Sequence, residues 1–261
     1  MKLTVFTKPW PAMPLPELAE FVKGLGFEGI ELPVRPGYQV PPEHVSQKLP
    51  EAVRVFADHG LCVHSIAGPI DEPAIAACGE AGVPIIRIMP EIPEGDNYLE
   101  AVAAHQRRWD ALLPLLQEHG VAIGAQNHCN RWVANAMELR HCVGKYDPKL
   151  VCAVWDAGHS GLLGEMLDHA LDIVASHLRI VNLKNAAWHN AADPDAGVAQ
   201  WRIRWVTGRE GMTNWETLFR ELRKRKYEGP ICFSAEYSDH DAVNRLIAED
   251  IRFAKEALGG I

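Results

Sequence analysis

The chain has 261 residues, close to the roughly 250 residues of a single α/β barrel. Apolar residues make up 48% of the chain and charged residues 23%, so the composition can bury a full core and is not that of a disordered protein. Lys and Arg number 26 against 34 Asp and Glu. The resulting formal charge of -8 repels a phosphate backbone, so nucleic acid is not an expected partner.

The N-terminal segment has two lysines followed by several prolines, and it never builds the apolar stretch of a signal peptide. No segment approaches the about 18 uninterrupted apolar residues of a membrane span. The six cysteines include no Cys-x-x-Cys pair, so we interpret them as small buried thiols in a reducing compartment. We therefore expect a cytoplasmic protein with no membrane partner.

Short apolar runs alternate with longer segments of helical period along the whole chain. Helical period is clearest at 15–24, 98–118 and 240–258. The first strand-to-helix turn lacks the glycines of a dinucleotide-binding sheet. The pattern therefore predicts a (β/α)8 TIM barrel forming a single domain over 1–261. Eight runs predict strands, at 3–6, 28–32, 61–65, 84–88, 121–125, 151–155, 179–183 and 231–235.

One stretch, 186–212, shows neither the period of a strand nor that of a helix. Structureless loops longer than about 15 residues in a compact domain are usually functional or disordered. This stretch is rich in tryptophan and arginine, a composition that disfavours disorder. We interpret it as an ordered lid over the C-terminal mouth of the barrel.

Polar residues at the C-terminal ends of barrel strands point into the mouth, where barrel enzymes place their chemistry. Asp156 directly follows a buried apolar run, so its carboxylate needs a partner, although it could also serve as a helix N-cap. Glu236 stands in the same position after the last strand. The other candidates at strand ends are Lys8, Glu31, His64, Arg87, Gln126, Asn127, His128, His159, Asn182, Lys184 and Asn185.

Several motifs resemble the xylose isomerase-like TIM-barrel family, also known as the sugar phosphate isomerase/epimerase family. They are GAQNH at 124–128, WDAGHSG at 155–161, VNLKN at 181–185, GREG at 208–211 and YEGPICFSAEY at 227–237. The resemblance covers essentially the whole chain and is most specific from residue 120 onward. It implies a carbohydrate-active isomerase or epimerase with a divalent metal.

The resemblance implies a metal held by residues at the ends of strands five to eight, here Gln126, Asp156, Asn182 and Glu236. Asp156 and Glu236 match the family's carboxylates, whereas Gln126 replaces a glutamate and Asn182 replaces a histidine. The loss of one carboxylate lowers the expected affinity for a dication. Oxygen donors favour Mg²⁺, Mn²⁺ or Ca²⁺ over Zn²⁺. A histidine, His64, His128 or His159, could complete or relocate the site.

The expected catalytic residues are Glu236, His159 and Lys184. Glu236 or His159 would act as the base, and Lys184 or the metal would polarise a carbonyl oxygen. Because the amide of Gln126 cannot take a proton from carbon, one-base isomerisation or elimination is favoured over two-base epimerisation. Aromatic faces suit sugar rings and arginine suits anions, so the expected substrate contacts are His64, His128, Trp10, Trp188 and Arg204.

We therefore expect an isomerase-like enzyme that moves a proton next to a carbonyl of a sugar or sugar derivative, with a small-molecule sugar as its partner. A lyase or hydratase acting on a keto-sugar is the second interpretation. A non-catalytic sugar-binding relative also remains open because of Gln126 and Asn182. A DNA-repair endonuclease of this barrel type would need a multi-zinc cluster and a basic groove, which the sequence does not offer. A homo-oligomer is compatible with the sequence.

Overall fold

The computed structural model describes residues 1–193 and 195–259. Eight parallel strands form a closed barrel in which β1 pairs with both β2 and the last strand. The (β/α)8 TIM barrel is thereby confirmed, and every predicted strand lies within two residues of an observed one. The barrel strands are β1 (Lys2–Phe6), β2 (Gly29–Pro33), β3 (Cys62–Ala67), β4 (Ile85–Ile88), β5 (Ala122–Gln126), β6 (Val151–Asp156), β7 (Leu178–Leu183) and β10 (Pro230–Phe233).

Helices surround the barrel and bury their apolar faces against it, as Leu18, Val22, Leu218 and Leu222 illustrate with fully buried side chains. Asparagine or aspartate side chains cap several helix N-termini by accepting backbone N–H groups. Short 3₁₀ turns precede α2 and α9. The helices are α1 (Leu15–Leu25), α2 (Val45–Asp58), α3 (Glu72–Ala81), α4 (Tyr98–His119), α5 (Ala136–Val143), α6 (Ala157–Leu162), α7 (Leu167–Val174), α8 (Trp215–Lys224) and α9 (Val243–Gly259).

Beneath the polar mouth, the barrel interior holds a buried apolar cluster that reaches up to Phe6 in the cavity wall. It is formed by Phe6, Ala67, Ile85, Ala122, Cys152, Val154, Ile180 and Cys232. Because this cluster fills the barrel, no channel runs through it and ligands must enter from one end. Toward the C-terminal ends of the strands, the buried side chains become polar. Any site for a small molecule is therefore confined to that end.

The stretch 186–212 is not without regular structure, which corrects the sequence expectation. Strands β8 (Asn185–Asn190) and β9 (Trp201–Val206) pair antiparallel and project from the barrel as a two-stranded hairpin. The residues of β9 alternate between apolar side chains and arginines over 201–205, and the register places Trp188, Trp201 and Trp205 on one face of the hairpin. This alternation is a signal for a strand that was missed in the sequence. Its role as a lid stays a prediction.

Asn185 anchors the base of the hairpin. Its side-chain nitrogen donates to the carbonyl oxygens of Gly208 at 3.0 Å and Thr213 at 2.8 Å, and its oxygen accepts from the Thr213 N–H. A Cβ atom on Gly211 would lie only 2.1 Å from the Asn185 side chain, which explains why the second glycine position in the GREG motif, residue 211, has no side chain. Among the described residues, no helix has the length and apolar character needed to cross a membrane.

Candidate active site

A cavity of about 90 Å³ opens in the C-terminal mouth of the barrel. It brings together seven of the residues predicted from strand ends, namely Lys8, Arg87, Gln126, His128, Asn182, Lys184 and Glu236. Arg35 and Ser234 complete its polar lining. Strand ends thus converge here as the barrel geometry requires.

Asp156 lies buried beside this cavity and uses both carboxylate oxygens. Oδ1 accepts the backbone N–H groups of Gly158 at 3.0 Å and His159 at 3.1 Å, and so caps α6. Oδ2 accepts the side-chain N–H of Gln126 at 2.8 Å and lies 3.7 Å from Lys184 Nζ. Burial raises the pKa of Asp156, and the Lys184 ammonium opposes that shift. Asp156 is therefore both the helix cap and part of the polar cluster, so the two interpretations from sequence hold together.

Lys184 places its ammonium between two carboxylates. Its Nζ donates to Glu236 Oε2 at 2.9 Å, lies 3.7 Å from Asp156 Oδ2, and sits 4.4 Å from the centroid of the Trp205 ring. Burial alone would lower the pKa of Lys184, but the two carboxylates outweigh burial and raise it. Burial likewise acts to raise the pKa of Glu236, yet Lys184 and Lys8 bring it down to about 2. The cluster therefore holds a permanent cation.

A second buried ion pair lies beneath the mouth. Arg87 Nε donates to both oxygens of Glu31, at 2.9 and 2.8 Å, and a terminal nitrogen of Arg87 lies 2.7 Å from Glu31 Oε2. Burial acts to raise the pKa of Glu31, but Arg87 outweighs it and holds the pKa below its usual value. The other terminal nitrogen of Arg87 donates to Gln126 Oε1 at 2.5 Å. Gln126 is thus fixed between a donor on one side and Asp156 on the other.

The four residues expected to hold a metal do not fit a dication in this arrangement. The oxygen of Gln126 accepts from Arg87, and both Asp156 oxygens are engaged. The Lys184 ammonium already lies between Asp156 and Glu236. A dication about 4 Å from an ammonium is repelled by about 8 kcal/mol at an effective dielectric constant of about 20. Asn182 Oδ1 has no hydrogen-bond partner within the described residues, but it is a single neutral donor.

A different group of side chains could hold a metal ion. One ligand atom each from His128, Cys129 and His159 lies within 4.8 Å of the others. The two imidazole rings of His128 and His159 lie with their centroids 3.9 Å apart and their planes tilted by 47°. Burial lowers the pKa of His128 to about 4 and lowers that of His159 further, so both rings are neutral at pH 7. Burial also raises the pKa of the Cys129 thiol to about 11, so metal binding there would have to displace a tightly held proton.

His159 is fully buried, and neither of its ring nitrogens has a hydrogen-bond partner in the part of the chain that the structure describes. His64 on β3 is also buried, both of its ring nitrogens likewise lack a hydrogen-bond partner among the described residues, and burial lowers its pKa to about 4. Buried polar atoms are normally hydrogen-bonded, so these two unpaired imidazoles are unusual, although neither is among the residues that line the cavity. Both residues were predicted from the sequence as site candidates.

Three predicted substrate contacts lie away from the inner cavity. Trp10 is buried, and its indole N–H donates to Asn244 Oδ1 at 2.8 Å. Trp188 lies on the hairpin, where its indole N–H donates to the Leu162 carbonyl oxygen at 2.8 Å. Arg204 lines an outer groove of about 630 Å³. Trp205 lines the same groove, and its ring centroid lies 4.4 Å from Nζ of Lys184, a residue of the inner cavity.

Two features of the site were missed in the sequence. Arg35 lines the cavity, but it follows β2 in a loop, where no periodic signal marks it. Ala235 has a φ of 49°, in the left-handed region that residues with a side chain rarely adopt. This backbone conformation immediately precedes Glu236, whose carboxylate meets Lys184. Strain of this kind clusters at functional sites.

The family model described as xylose isomerase-like TIM barrel matches residues 19–257. The chain belongs to the xylose isomerase-like TIM barrel family. A search of the curated proteins finds no match to it.

Solved structures with the same fold include sugar epimerases and a dehydratase. D-psicose 3-epimerase, crystallised in the presence of D-fructose, is 14% identical, with a TM-score of 0.74 and complete coverage of both chains (100%). The probable 3-DHS dehydratase from Bacillus anthracis is 15% identical, with a TM-score of 0.75 over 98% of this chain and 99% of its own. A xylose isomerase-like TIM barrel protein from Mycobacterium smegmatis, in complex with magnesium, is 17% identical, with a TM-score of 0.69 over 99% and 97%.

Proposed function

We propose that this protein is a sugar-modifying enzyme that moves a proton at the carbon next to a carbonyl of a sugar or sugar derivative. The observation that carries the proposal is the Lys184 ammonium, held 2.9 Å from Glu236 at the mouth of the barrel. It pairs a cation suited to a carbonyl oxygen with a carboxylate suited to a carbon-bound proton. The sugar epimerases and the dehydratase that share the fold support this choice of chemistry.

Glu236 is the proposed base, since its side chain remains 30% exposed while Asp156 is fully buried. It would remove the proton from carbon, and the electron pair of the broken C–H bond would form a carbon–carbon double bond. The carbonyl oxygen would then carry the negative charge, stabilised by Lys184. Lys184 is also the main group that lowers the pKa of Glu236. Moving the ammonium toward the substrate oxygen would therefore make Glu236 a stronger base.

Protonated Glu236 would then return its proton to the neighbouring carbon, and the hydroxyl proton of the enediolate would pass to the charged oxygen, which completes an isomerisation. In an elimination, the carbon–oxygen bond of a β-hydroxyl group would break instead, and that hydroxyl would leave as water with the proton from Glu236. Gln126 cannot supply a second base, because its amide is fixed by Arg87 and Asp156. This argues for a one-base reaction rather than epimerisation.

His159 would bind substrate hydroxyls. A neutral imidazole offers one donor and one acceptor, and both nitrogens of His159 lack partners among the described residues. We further infer that the reaction does not use a dication at the Gln126, Asp156, Asn182 and Glu236 positions, because Lys184 takes the place of that charge. A cytosolic location is also proposed, supported by six free cysteines of which five are buried.

The test is proton exchange in D2O, followed by NMR, with a panel of ketoses and aldoses that includes D-fructose and D-tagatose. We expect the wild-type protein to exchange a carbon-bound proton and form product equally well with and without EDTA. Glu236→Gln should lower the rate by about 10²-fold or more, since it removes the base. Glu118→Gln on the exposed face of α4 is the matched control and should leave the rate unchanged.

Two outcomes would contradict the proposal. Full activity in Glu236→Gln would remove the assigned base. Tight binding of a sugar without exchange or turnover would support the non-catalytic sugar-binding relative instead.

A further inference from the structure

The side chains around the inner cavity carry more positive than negative charge. Lys8, Arg35, Arg87 and Lys184 line it, against Glu236 in the lining and Glu31 and Asp156 directly behind it. His64, His128 and His159 add no charge, because burial lowers the pKa of each. The count leaves one positive charge without a counterpart, although the whole protein carries -8.

The unmatched charge can be located. Arg87 is paired with Glu31, and Lys184 is paired with Asp156 and Glu236. The guanidinium of Arg35 makes neither a hydrogen bond nor a salt bridge within residues 1–193 and 195–259. This leaves five N–H donors without a protein acceptor at the edge of the cavity.

The surroundings of Arg35 are unfavourable for a cation that has no paired anion. Its Cζ lies 5.5 Å from the centroid of the Phe6 ring, and the Cζ of Arg87 lies 4.7 Å from the same centroid. Two guanidinium groups thus share one aromatic ring. Burial and the nearby Arg87 lower the pKa of Arg35, and Tyr38 and Glu31 offset only part of this shift, so an anion beside the guanidinium would oppose it.

Lys8 supplies a second donor on the same side of the mouth. It lies two residues after the end of β1, and its carbonyl oxygen accepts the Tyr38 hydroxyl at 3.2 Å. This hydrogen bond ties the β1 loop to the loop that carries Arg35. Lys8 is exposed and also lines the cavity, so its ammonium can reach a ligand that Arg35 holds.

We infer that Arg35, assisted by Lys8, binds a carboxylate of the substrate, so that the substrate class is a sugar acid. The inference rests on the proposed function, because it names the substrate of the same cavity. An arginine fork matches the two oxygens of a carboxylate. A carboxylate carries a single negative charge, which balances the single excess charge of the cavity. A phosphate would bring more negative charge beside Glu31, Asp156 and Glu236.

The test is calorimetric titration of the whole protein with D-gluconate and D-glucuronate, beside neutral D-glucose and D-glucose 6-phosphate. We expect the wild-type protein to bind a sugar acid about tenfold more tightly than glucose. Arg35→Gln should abolish this preference, and Lys8→Gln should weaken it. Arg108→Gln, at an exposed position on α4, removes a positive charge elsewhere and should keep the preference.

The inference is overturned if glucose binds as tightly as both acids, if the preference survives in Arg35→Gln and Lys8→Gln, or if glucose 6-phosphate binds most tightly. Circular dichroism establishes whether Arg35→Gln is folded, and Lys8→Gln provides the answer if it is not. Binding is measured here without turnover. Sugar-acid binding that depends on Arg35, together with no proton exchange in D2O, would therefore uphold the carboxylate site and refute the proposed reaction.

Discussion

Replacing Lys184 by alanine should destabilise the protein and create a binding site for a dication. In the wild-type protein, the ammonium of Lys184 is the cation nearest to the fully buried carboxylate of Asp156, at 3.7 Å. Without it, Asp156 and Glu236 face each other across the space that the lysine occupied. Two carboxylates and the oxygen of Asn182 are the kind of ligands that Mn²⁺ and Mg²⁺ accept.

The size of the effect follows from burial. Removing one partner of a buried ion pair costs about 3–5 kcal/mol, because the remaining charge is left without compensation. In a protein of this size, each kcal/mol lowers the Tm by roughly 2–4 °C, so we expect a decrease on the order of 10 °C. Saturation with Mn²⁺ at about a hundred times its Kd should restore about 2.7 kcal/mol.

Thermal unfolding with and without MnCl2 measures both effects in one experiment. We expect no Mn²⁺-dependent increase at this site in the wild-type protein and an increase of several degrees in Lys184→Ala. Lys184→Met separates lost charge from lost packing, since methionine keeps most of the apolar stem. Lys145→Ala is the matched control, because Lys145 pairs with Asp110 at 2.8 Å on the surface. Exposed pairs contribute little, so this variant should resemble the wild type.

The reasoning fails if the wild-type protein gains as much stability from Mn²⁺ as Lys184→Ala does. It also fails if Lys184→Ala and Lys184→Met unfold at the wild-type temperature. The first result would mean that lysine and metal do not compete for the same place. The second would mean that Asp156 does not depend on the ammonium.

Three further predictions concern the groups around this cation. Gln126→Glu should destabilise the protein at pH 8, because it places a second carboxylate beside Asp156, whose Oδ2 now lies 2.8 Å from the Gln126 side-chain nitrogen. The stability should recover in acid, where one of the two carboxyl groups is protonated, and urea unfolding at several pH values measures this. Wild-type stability should fall as the pH drops from 6.5 to 4, since burial lowers the pKa values of His64, His128 and His159 while the unfolded chain takes up the protons. His64, with a pKa of about 4, should account for up to about 3 kcal/mol of this fall, and His64→Gln should remove that share in calorimetry. Ala235→Gly should stabilise the protein by about 1 kcal/mol, because glycine adopts the left-handed backbone conformation of this position without steric strain; urea unfolding measures this. The same variant should lower kcat in the D2O exchange assay, because the more flexible backbone holds Glu236 less firmly.

The barrel was predictable because its strands are buried on both faces. Such strands read as short apolar runs, for example 84–88 and 151–155, and the alternation with helical segments leaves few other folds. The hairpin of β8 and β9 was not predicted, because β8 shows no alternation and the pattern is confined to one short strand. The alternation of apolar residues and arginines over 201–205 could have identified β9, but it does not identify the partner strand or the antiparallel pairing.

Much of the candidate site was also predictable, because barrel geometry brings strand ends together whatever their sequence. Gln126, Lys184 and Glu236 meet around one cavity for this reason. The partner of each charged side chain in the ion pairs of the site was not predictable from the sequence. Whether Asp156 would be neutralised by a metal, by Lys184 or by Arg87 depends on side-chain reach and rotamers, and strand position specifies neither.

The amide at Gln126 and the lysine at 184 are two parts of one arrangement. Gln126 must accept from Arg87 and donate to Asp156 at the same time, and an ionised carboxylate can only accept. With the amide in place, one ammonium balances the charge that a dication would otherwise supply. An ammonium polarises one oxygen through donated hydrogen bonds, whereas a dication can bind two oxygens of the same sugar. A site built on Lys184 therefore needs another contact to fix the substrate, and the free guanidinium of Arg35 on the cavity wall can provide it.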